Sequence, residues 1–547
     1  MLASRIWRAS MESNLVTRNW VFILIIVICS MGALTIIYST NHGPGIGSDS
    51  VGYIEAARNL LAGRGLVLPR ASGRFAPPSF HPPLYSLLLG SMKSLGVEFL
   101  ITARWLNIIL YFIFGLVVGL GSYFFYRREL FSISVVGVIL STPIMISNFS
   151  SAMSEPLYFV FGFSGLFLLL LYFRNENRVT LFLSAIIISL SFLSRYSGAA
   201  LISAAVMGLW ILNPKPIRQR ILDSVYFLGI GILPMIVWLL IQRFGYPNSE
   251  PGVFDFRLFD LWDKLNPVRL SYVDIMWNWL PFSSYLPSLS YRSKLIIFLG
   301  LVFLLFAWVL FAIVNVRRRM EGTVLRNPLI QFGLLFGFVF VAHSLLIAGS
   351  YVVVVSPKPA LNDRILSTLF IAALLSLFAF LYFTVEVWPS KRWIQSLSLF
   401  LSSAILCSNI LLSFARVTEL HQNGEGYTNI RWQSSGVMEE VMNLPADISL
   451  ISNIPTAILF YANRPAYEIP EIADGLPREE FQPFGDEEED GVERRFREEG
   501  AALILFQEIY WQLRPIYQEG TEERLEALTQ GLRLYYEGWD GAIYFYE

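Results

Sequence analysis

Charge is what this sequence lacks most. Only 15% of its 547 residues are Asp, Glu, Lys or Arg, against 54% hydrophobic. Soluble domains carry about a quarter charged residues, so a soluble globular chain is excluded. Cysteine is nearly missing too. Cys29 and Cys407 both sit in apolar runs, which excludes a disulfide framework and gives no sign of a cysteine metal site. Lysine disappears after residue 417: that tail holds 26 acids against 9 arginines, while the rest of the chain has 16 acids and 32 bases. A net charge of −1 therefore hides two parts built for different surroundings. Nothing points to nucleic acid as a partner.

What is present is a series of long apolar runs. A helix needs about 20 apolar residues to cross the hydrocarbon core. Length and apolar content predict about eleven transmembrane helices, roughly at 19–39, 102–125, 131–147, 155–173, 179–193, 198–212, 221–242, 294–315, 329–350, 364–386 and 393–415. The fifth and sixth are short and flank a polar break at Ser194–Gly198. The bases then fix orientation. Arg5, Arg8 and Arg18 precede the first run, and every second loop is basic: Tyr126–Leu130, Phe173–Arg178, Asn213–Arg220, Val316–Arg326 and Pro389–Trp393. Basic loops stay in the cytoplasm, so the chain is predicted N-in/C-out. The first apolar run is too long for a signal peptide and lacks a small-residue cleavage site.

The opposite face receives the loop at about 40–100, the turn Ser147–Glu155, the break at Arg195, the long loop at about 244–293, the segment Ser356–Arg364 and the acidic tail. Asp49, Glu155, Arg195, Asp363 and Arg364 thus all fall on one face, near span ends. Residues 50–62 carry apolar positions at helical spacing, with Gly63 as a stop, and predict a one-sided helix lying in the interface. Asp49 would cap it. Pro77–Pro78 and Pro82–Pro83 stiffen the stretch before a second short helix, Leu84–Leu95. The aromatic residues Trp262, Tyr272, Trp277, Trp279 and Tyr285 read as an interfacial belt. His343, inside an apolar span, reads as a packing histidine.

The tail alternates short helical and strand patterns. WQSSGVMEEVMNL and IPTAILFYAN read as helices, ADISLISN and AALILF as strands, TEERLEALTQG as a helix, and LRLYYEG with AIYFYE as closing strands. This predicts a small α/β domain over 418–547, after a membrane part over 1–417. The acidic run Asp486–Asp490 reads as a solvated loop.

The motif Asp49-Ser50-x-x-Tyr53, the short Ala-containing helix, the Gly63-x-Gly65 turn and His81-Pro-Pro-Leu-Tyr85 resemble the GT-C membrane glycosyltransferases. The resembling group includes the protein O-mannosyltransferases and the lipid A aminoarabinose transferase. SEPLY (Ser154–Tyr158) and NDRIL (Asn362–Leu366) extend the likeness. It implies an inverting glycosyltransferase that moves a sugar from a polyprenyl-phosphate carrier to an extracytoplasmic lipid, glycan or protein acceptor. It implies Asp49 as base or acceptor-orienting acid, and Arg364 on the carrier phosphate. His81 stands where some relatives place a phosphate-binding lysine, and is charged only in part at neutral pH. Lys358 is a further phosphate candidate. Glu155, Tyr53 and Arg195 fall on the acceptor or metal side. A divalent cation or no cofactor are both left open. The compact loops favour a prokaryotic plasma membrane. The rival readings are a lipid-linked saccharide flippase or other transporter, which would place polar groups near the midplane, and a non-catalytic scaffold presenting the tail.

Overall fold

The computed structural model describes residues 2–78, 81–126, 129–245, 261–280, 283, 289–300, 327–353, 361–388, 392–475 and 501–546. Helix α1 (Leu2–Ser39) is followed by the short α2 (Ser48–Leu61) and α3 (Leu84–Ser94). A two-stranded pair, β1 (Leu68–Pro69) and β2 (Phe75–Ala76), lies between these two. Then come α4 (Phe99–Tyr126), α5 (Glu129–Leu140), α6 (Pro143–Ser150), α7 (Glu155–Asn175), α8 (Arg178–Ser194), α9 (Gly198–Ile211) and α10 (Ile217–Gly245). The membrane part continues through α11 (Leu261–Asn278), α12 (residues 291–300), α13 (Pro328–Val353), α14 (Asp363–Val387) and α15 (Arg392–Asn423).

Among the described residues, seven helices are long and apolar enough to cross a membrane: α1, α4, α7, α10, α13, α14 and α15. The span expected at 131–147 is instead a broken pair, α5 and α6, bent by 58°. The cause is local. Pro143 lacks an N–H and forces Thr142 into an extended conformation (ψ 136°), where its hydroxyl accepts from the Met145 amide and starts a new helix. The expected spans at 179–193 and 198–212 correspond to α8 and α9, which are shorter apolar helices. At 17 residues α8 reaches only about 26 Å, less than a hydrocarbon core. The chain reverses between them because Gly198 has no side chain: a Cβ there would lie 2.4 Å from the Phe192 Cα. The expected span at 294–315 falls largely outside the described residues.

Helix α7 is the centre of the bundle. Tyr158, Phe159, Phe163, Leu166, Leu169 and Tyr172 on it are all at most 2% exposed. It meets α8 along small residues, as helices in lipid must when dispersion rather than water drives their contact. A Cβ on Gly165 would come within 2.4 Å of Ile188 Cγ1 and 3.1 Å of the Ser184 carbonyl. At the periphery, α15 turns Leu399, Phe400, Leu411 and Phe414 outward, as a lipid-facing helix does.

The expectation of α2 as a one-sided interfacial helix is corrected. Nine of its residues are buried, including Val51, Tyr53, Ile54, Glu55 and Ala57. The helix is covered by α3 on one side and by the tail on another, where Arg58 bonds Asn463.

The tail is a small α/β layer. After α16 (Ile430–Gln433) and α17 (Gly436–Asn443) come β3 (Leu450–Ser452), α18 (Pro455–Ala462), β4 (Tyr467–Glu468), α19 (Pro470–Asp474) and β5 (Ala502–Phe506). Helices α20 (Ile509–Tyr517) and α21 (Thr521–Thr529) precede β6 (Leu532–Gly538) and β7 (Gly541–Tyr546). The strand order is β4-β3-β5-β7-β6, parallel across the first three and antiparallel thereafter. Strand β5 is buried on both faces: Ala502, Ile504 and Phe506 pack on one side, Leu503 and Leu505 on the other. The run Asp486–Asp490 lies outside the described residues.

Backbone bonds tie the tail to the first loop. The Tyr427 amide donates to the Ile46 carbonyl (2.7 Å), and the Gly45 amide to the Ser150 carbonyl (2.9 Å). Gly426 has φ +59°, and a Cβ on it would sit 2.0 Å from the Ile46 oxygen, so only glycine fits. Residues 44–47 are thus clamped between the α6–α7 connection and the tail. The close α7–α8 approach has a testable cost. Gly165→Val should destabilise the protein by about 1–3 kcal/mol through overpacking, read as a lower Tm of the purified protein in detergent. An unchanged Tm would mean the helices can separate there at no cost.

Candidate active site

Four segments bring charge to one end of the bundle. Helix α2 begins at Gly47, where the Ser50 hydroxyl accepts from the Gly47 amide at 3.1 Å. Gly47 holds the cap position, so Asp49 is not the expected cap. Asp49 sits in the first turn and reaches across to α14 instead. Helix α14 is capped by Asn362, whose side chain accepts from the Ile365 amide at 3.0 Å. That cap places Arg364 in the first turn. Arg364 Nη2 donates to Asp49 Oδ2 at 2.6 Å.

The same guanidinium faces a second acid. Arg364 Nε lies 3.3 Å from Glu155 Oε1, at the start of α7. Arg195, in the α8–α9 break, pairs with that same oxygen. Glu155 is 2% exposed, and a buried carboxylate this far from water persists only when paired. Two acids and two arginines thus balance. Glu155 Oε2 is buried without a hydrogen-bond partner among the described residues. With two guanidinium groups already on this carboxylate, a divalent cation there would meet like charge, and no described cluster of three His, Cys, Asp or Glu exists to hold one. The geometry does not fit a metal.

His81 approaches from the stretch before α3. Its Nε2 lies 3.5 Å from Asp49 Oδ1, and its ring stands edge-on to Tyr53 at 4.6 Å. Gly52 makes room for it, since a Cβ there would lie 3.0 Å from the imidazole Cε1. Burial by itself would raise the Asp49 carboxyl. The neighbouring His81 imidazole and the Arg364 guanidinium outweigh it and hold the carboxyl well below the usual carboxylate range.

Tyr53 was expected on the acceptor side. Its hydroxyl instead shares a 2.7 Å hydrogen bond with Ser154, next to Glu155, and the residue is 4% exposed. It locks α2 to α7. Arg195, likewise expected on the acceptor side, is paired with Glu155. Asp363 accepts from the Trp279 indole at 3.3 Å. His343 is buried in α13, among packing residues. Lys358 lies outside the described residues. Sequence reasoning missed Met153 and Ser154. Met153 Sδ is 3.3 Å from Arg364 Nη1 and 3.5 Å from Ser50 Oγ. The only sequence signal was their position directly before Glu155.

Two outcomes follow from this network. Glu155→Gln leaves two guanidinium groups without their shared anion and should cost on the order of 3 kcal/mol of stability, measured as a fall in Tm; a neutral effect would mean the pairing is not maintained. In Arg364→Gln a principal lowering influence on Asp49 is gone, so its carboxyl should titrate at higher pH than in the wild type. Infrared carboxyl bands, assigned against Asp49→Asn, would show this, and an unmoved band would contradict the pairing.

No protein-family model matches the sequence, and no curated protein matches it in sequence. Solved structures do match in shape. ArnT from Cupriavidus metallidurans, a lipid A aminoarabinose transferase solved bound to undecaprenyl phosphate, superposes with a TM-score of 0.52 at 11% identity, covering 96% of this chain and 98% of that one. Its apo state gives 0.51 at 11% identity, covering 97% and 98%. The archaeal oligosaccharyltransferase AglB from Archaeoglobus fulgidus, in complex with an inhibitory peptide and a dolichol-phosphate, gives 0.50 at 12% identity, covering 96% and 74%. Shape shared over nearly the whole chain, at this identity, carries the architecture: the protein has the GT-C fold of these membrane glycosyltransferases.

Proposed function

We propose that the protein is an inverting glycosyltransferase that takes a sugar from a polyprenyl-phosphate carrier and works on the extracytoplasmic face. The observation that carries this is the Asp49–Arg364–Glu155 arrangement at the mouth of a GT-C bundle. The similar structures were solved with undecaprenyl phosphate and dolichol-phosphate, which supports a lipid phosphate as the leaving group.

The chemistry divides between Asp49 and Arg364. The acceptor hydroxyl attacks the anomeric carbon while its proton passes to Asp49. The bond from that carbon to the carrier oxygen breaks, and the electron pair leaves on the lipid phosphate. Arg364 meets that developing charge. Its planar fork suits phosphate oxygens, and among the described residues one of its edges is held by the Met153 thioether, a weak acceptor that a phosphate oxygen displaces readily. Glu155, itself paired with Arg195, holds the guanidinium, and His81 lies by the other oxygen of Asp49.

The resting ion pair has a consequence for catalysis. Held low by Arg364 and His81, Asp49 is a poor base. When Arg364 turns its charge to the carrier phosphate, that influence weakens and the carboxylate becomes more basic. Donor binding thereby prepares the base that must accept the acceptor's proton.

The test is transfer of radiolabelled sugar from polyprenyl-phosphate sugars by the purified protein, with a membrane extract as the acceptor pool. Asp49→Asn should lower the rate of transfer by about 100-fold or more, the span usual for a positioned base, while leaving the fold intact. Transfer that survives in Asp49→Asn would remove Asp49 from the chemistry. Movement of intact lipid-linked sugar across vesicles with no transfer would favour a transporter instead.

A further inference from the structure

A cavity lies in the tail, outside the charge network. It encloses about 260 Å³ where α16, the end of β5 and the β6–β7 turn meet. Its floor is Phe506, 2% exposed and at the end of β5. Trp432 packs on that ring at 4.9 Å and meets Tyr427 edge-on at 5.3 Å, so its indole is held fixed. Trp539, in the tight turn between β6 and β7, is 58% exposed and stands at the rim. The polar lining is planar: the Gln507 amide, the Glu508 carboxylate, the Arg431 guanidinium and Asp540. Asp540 is 92% buried by the measure of its 8% exposure; one of its oxygens takes the Ser435 hydroxyl, and the other has no partner among the described residues.

We propose that this cavity is a carbohydrate subsite that takes a neutral sugar ring from the end of a glycan acceptor. A sugar ring has one face of C–H groups and an edge of hydroxyls. Aromatic rings with a polar neighbourhood match the first. Carboxylates, a carboxamide and a guanidinium match the second, because each presents two acceptors or donors in one plane to adjacent hydroxyls. The volume is below the ~300–1,000 Å³ of drug-sized ligand sites, which fits the end of a glycan rather than a long chain.

Charge narrows the ligand. Glu508 and Asp540 against Arg431 leave the lining with one excess negative charge. That disfavours a phosphate or another anion, and it also opposes reading Trp539 as an anchor among anionic lipid headgroups. Location supports the assignment. Gly426 lines the cavity and pairs with Ile46, three residues before Asp49. An acceptor held there would be tied directly to the loop that carries the proposed base. That the bound glycan is the acceptor rests on the glycosyltransferase reading; that the cavity binds sugar does not.

The experiment is saturation-transfer NMR on the full-length protein in nanodiscs. The probes are neutral tetrasaccharides of glucose, mannose, galactose and N-acetylglucosamine. Wild type should saturate the ring protons of at least one of them. Trp539→Ala and Glu508→Gln should each weaken that binding by tenfold or more, while Trp539→Phe and Asp49→Asn keep it. Binding that is lost in Asp49→Asn but kept in Trp539→Ala would place the sugar elsewhere and overturn the proposal. So would the absence of saturation for all four glycans in the wild type. A wild type that binds glycan in this way yet transfers no sugar would sink the glycosyltransferase reading and leave the subsite standing.

Discussion

One guanidinium holds this end of the molecule together. Arg364 stands between Asp49 and Glu155, and Glu155 is held in turn by Arg195. Ionised groups beside a bilayer are costly unless each finds a counter-charge. The four residues come from α2, α7, the α8–α9 break and α14, elements far apart in the chain. Arg364 joins the Asp49 pair to the Glu155–Arg195 pair, so the full network needs all four elements. The network therefore constrains the fold as well as the site. The clamp on residues 44–47 works to the same end. It is made by the tail and by the α6–α7 connection, so the tail is part of the wall that positions Asp49 and not an appendage.

The same pairing frames the chemistry. A carboxylate locked to an arginine is oriented but weakly basic. A phosphate that competes for the arginine changes both partners at once. On the proposed mechanism, base strength and leaving-group stabilisation are two readings of one exchange of partners. The proposed sugar cavity at Trp539 includes Gly426, which pairs with Ile46 of the first loop.

Much of this architecture was legible in the sequence. Basic residues in every second loop assigned a side to each span end, and that alone brought Asp49, Glu155, Arg195 and Arg364 to one face. The alternation in the tail gave β3, α18, β5, α21, β6 and β7 in order. The pairing was not legible. Which oxygen meets which guanidinium depends on helix adjacency, and no local pattern encodes that. Tyr53 shows the point: nothing in its motif told that its hydroxyl bonds Ser154 at 2.7 Å. Asp363 is a further case: its neighbour in sequence is Arg364, but its partner in space is Trp279. The bend at Pro143 had a plain signal in the Thr-Pro step, outweighed by the apolar run around it. Burial of α2 had none, because the cover comes from the tail and from α3.

The central claim is that Arg364 is shared between Asp49 at rest and the carrier phosphate when donor binds. The most direct measurement is the Kd for undecaprenyl phosphate in the wild type, Asp49→Asn and Arg364→Gln. Freed from its carboxylate, Arg364 should bind phosphate more tightly, so Asp49→Asn should lower the Kd. Arg364→Gln should raise it by tenfold or more, the loss of a charge-assisted bond worth about 1.5–3 kcal/mol. An unchanged Kd in Arg364→Gln, or a weakened one in Asp49→Asn, would contradict the exchange.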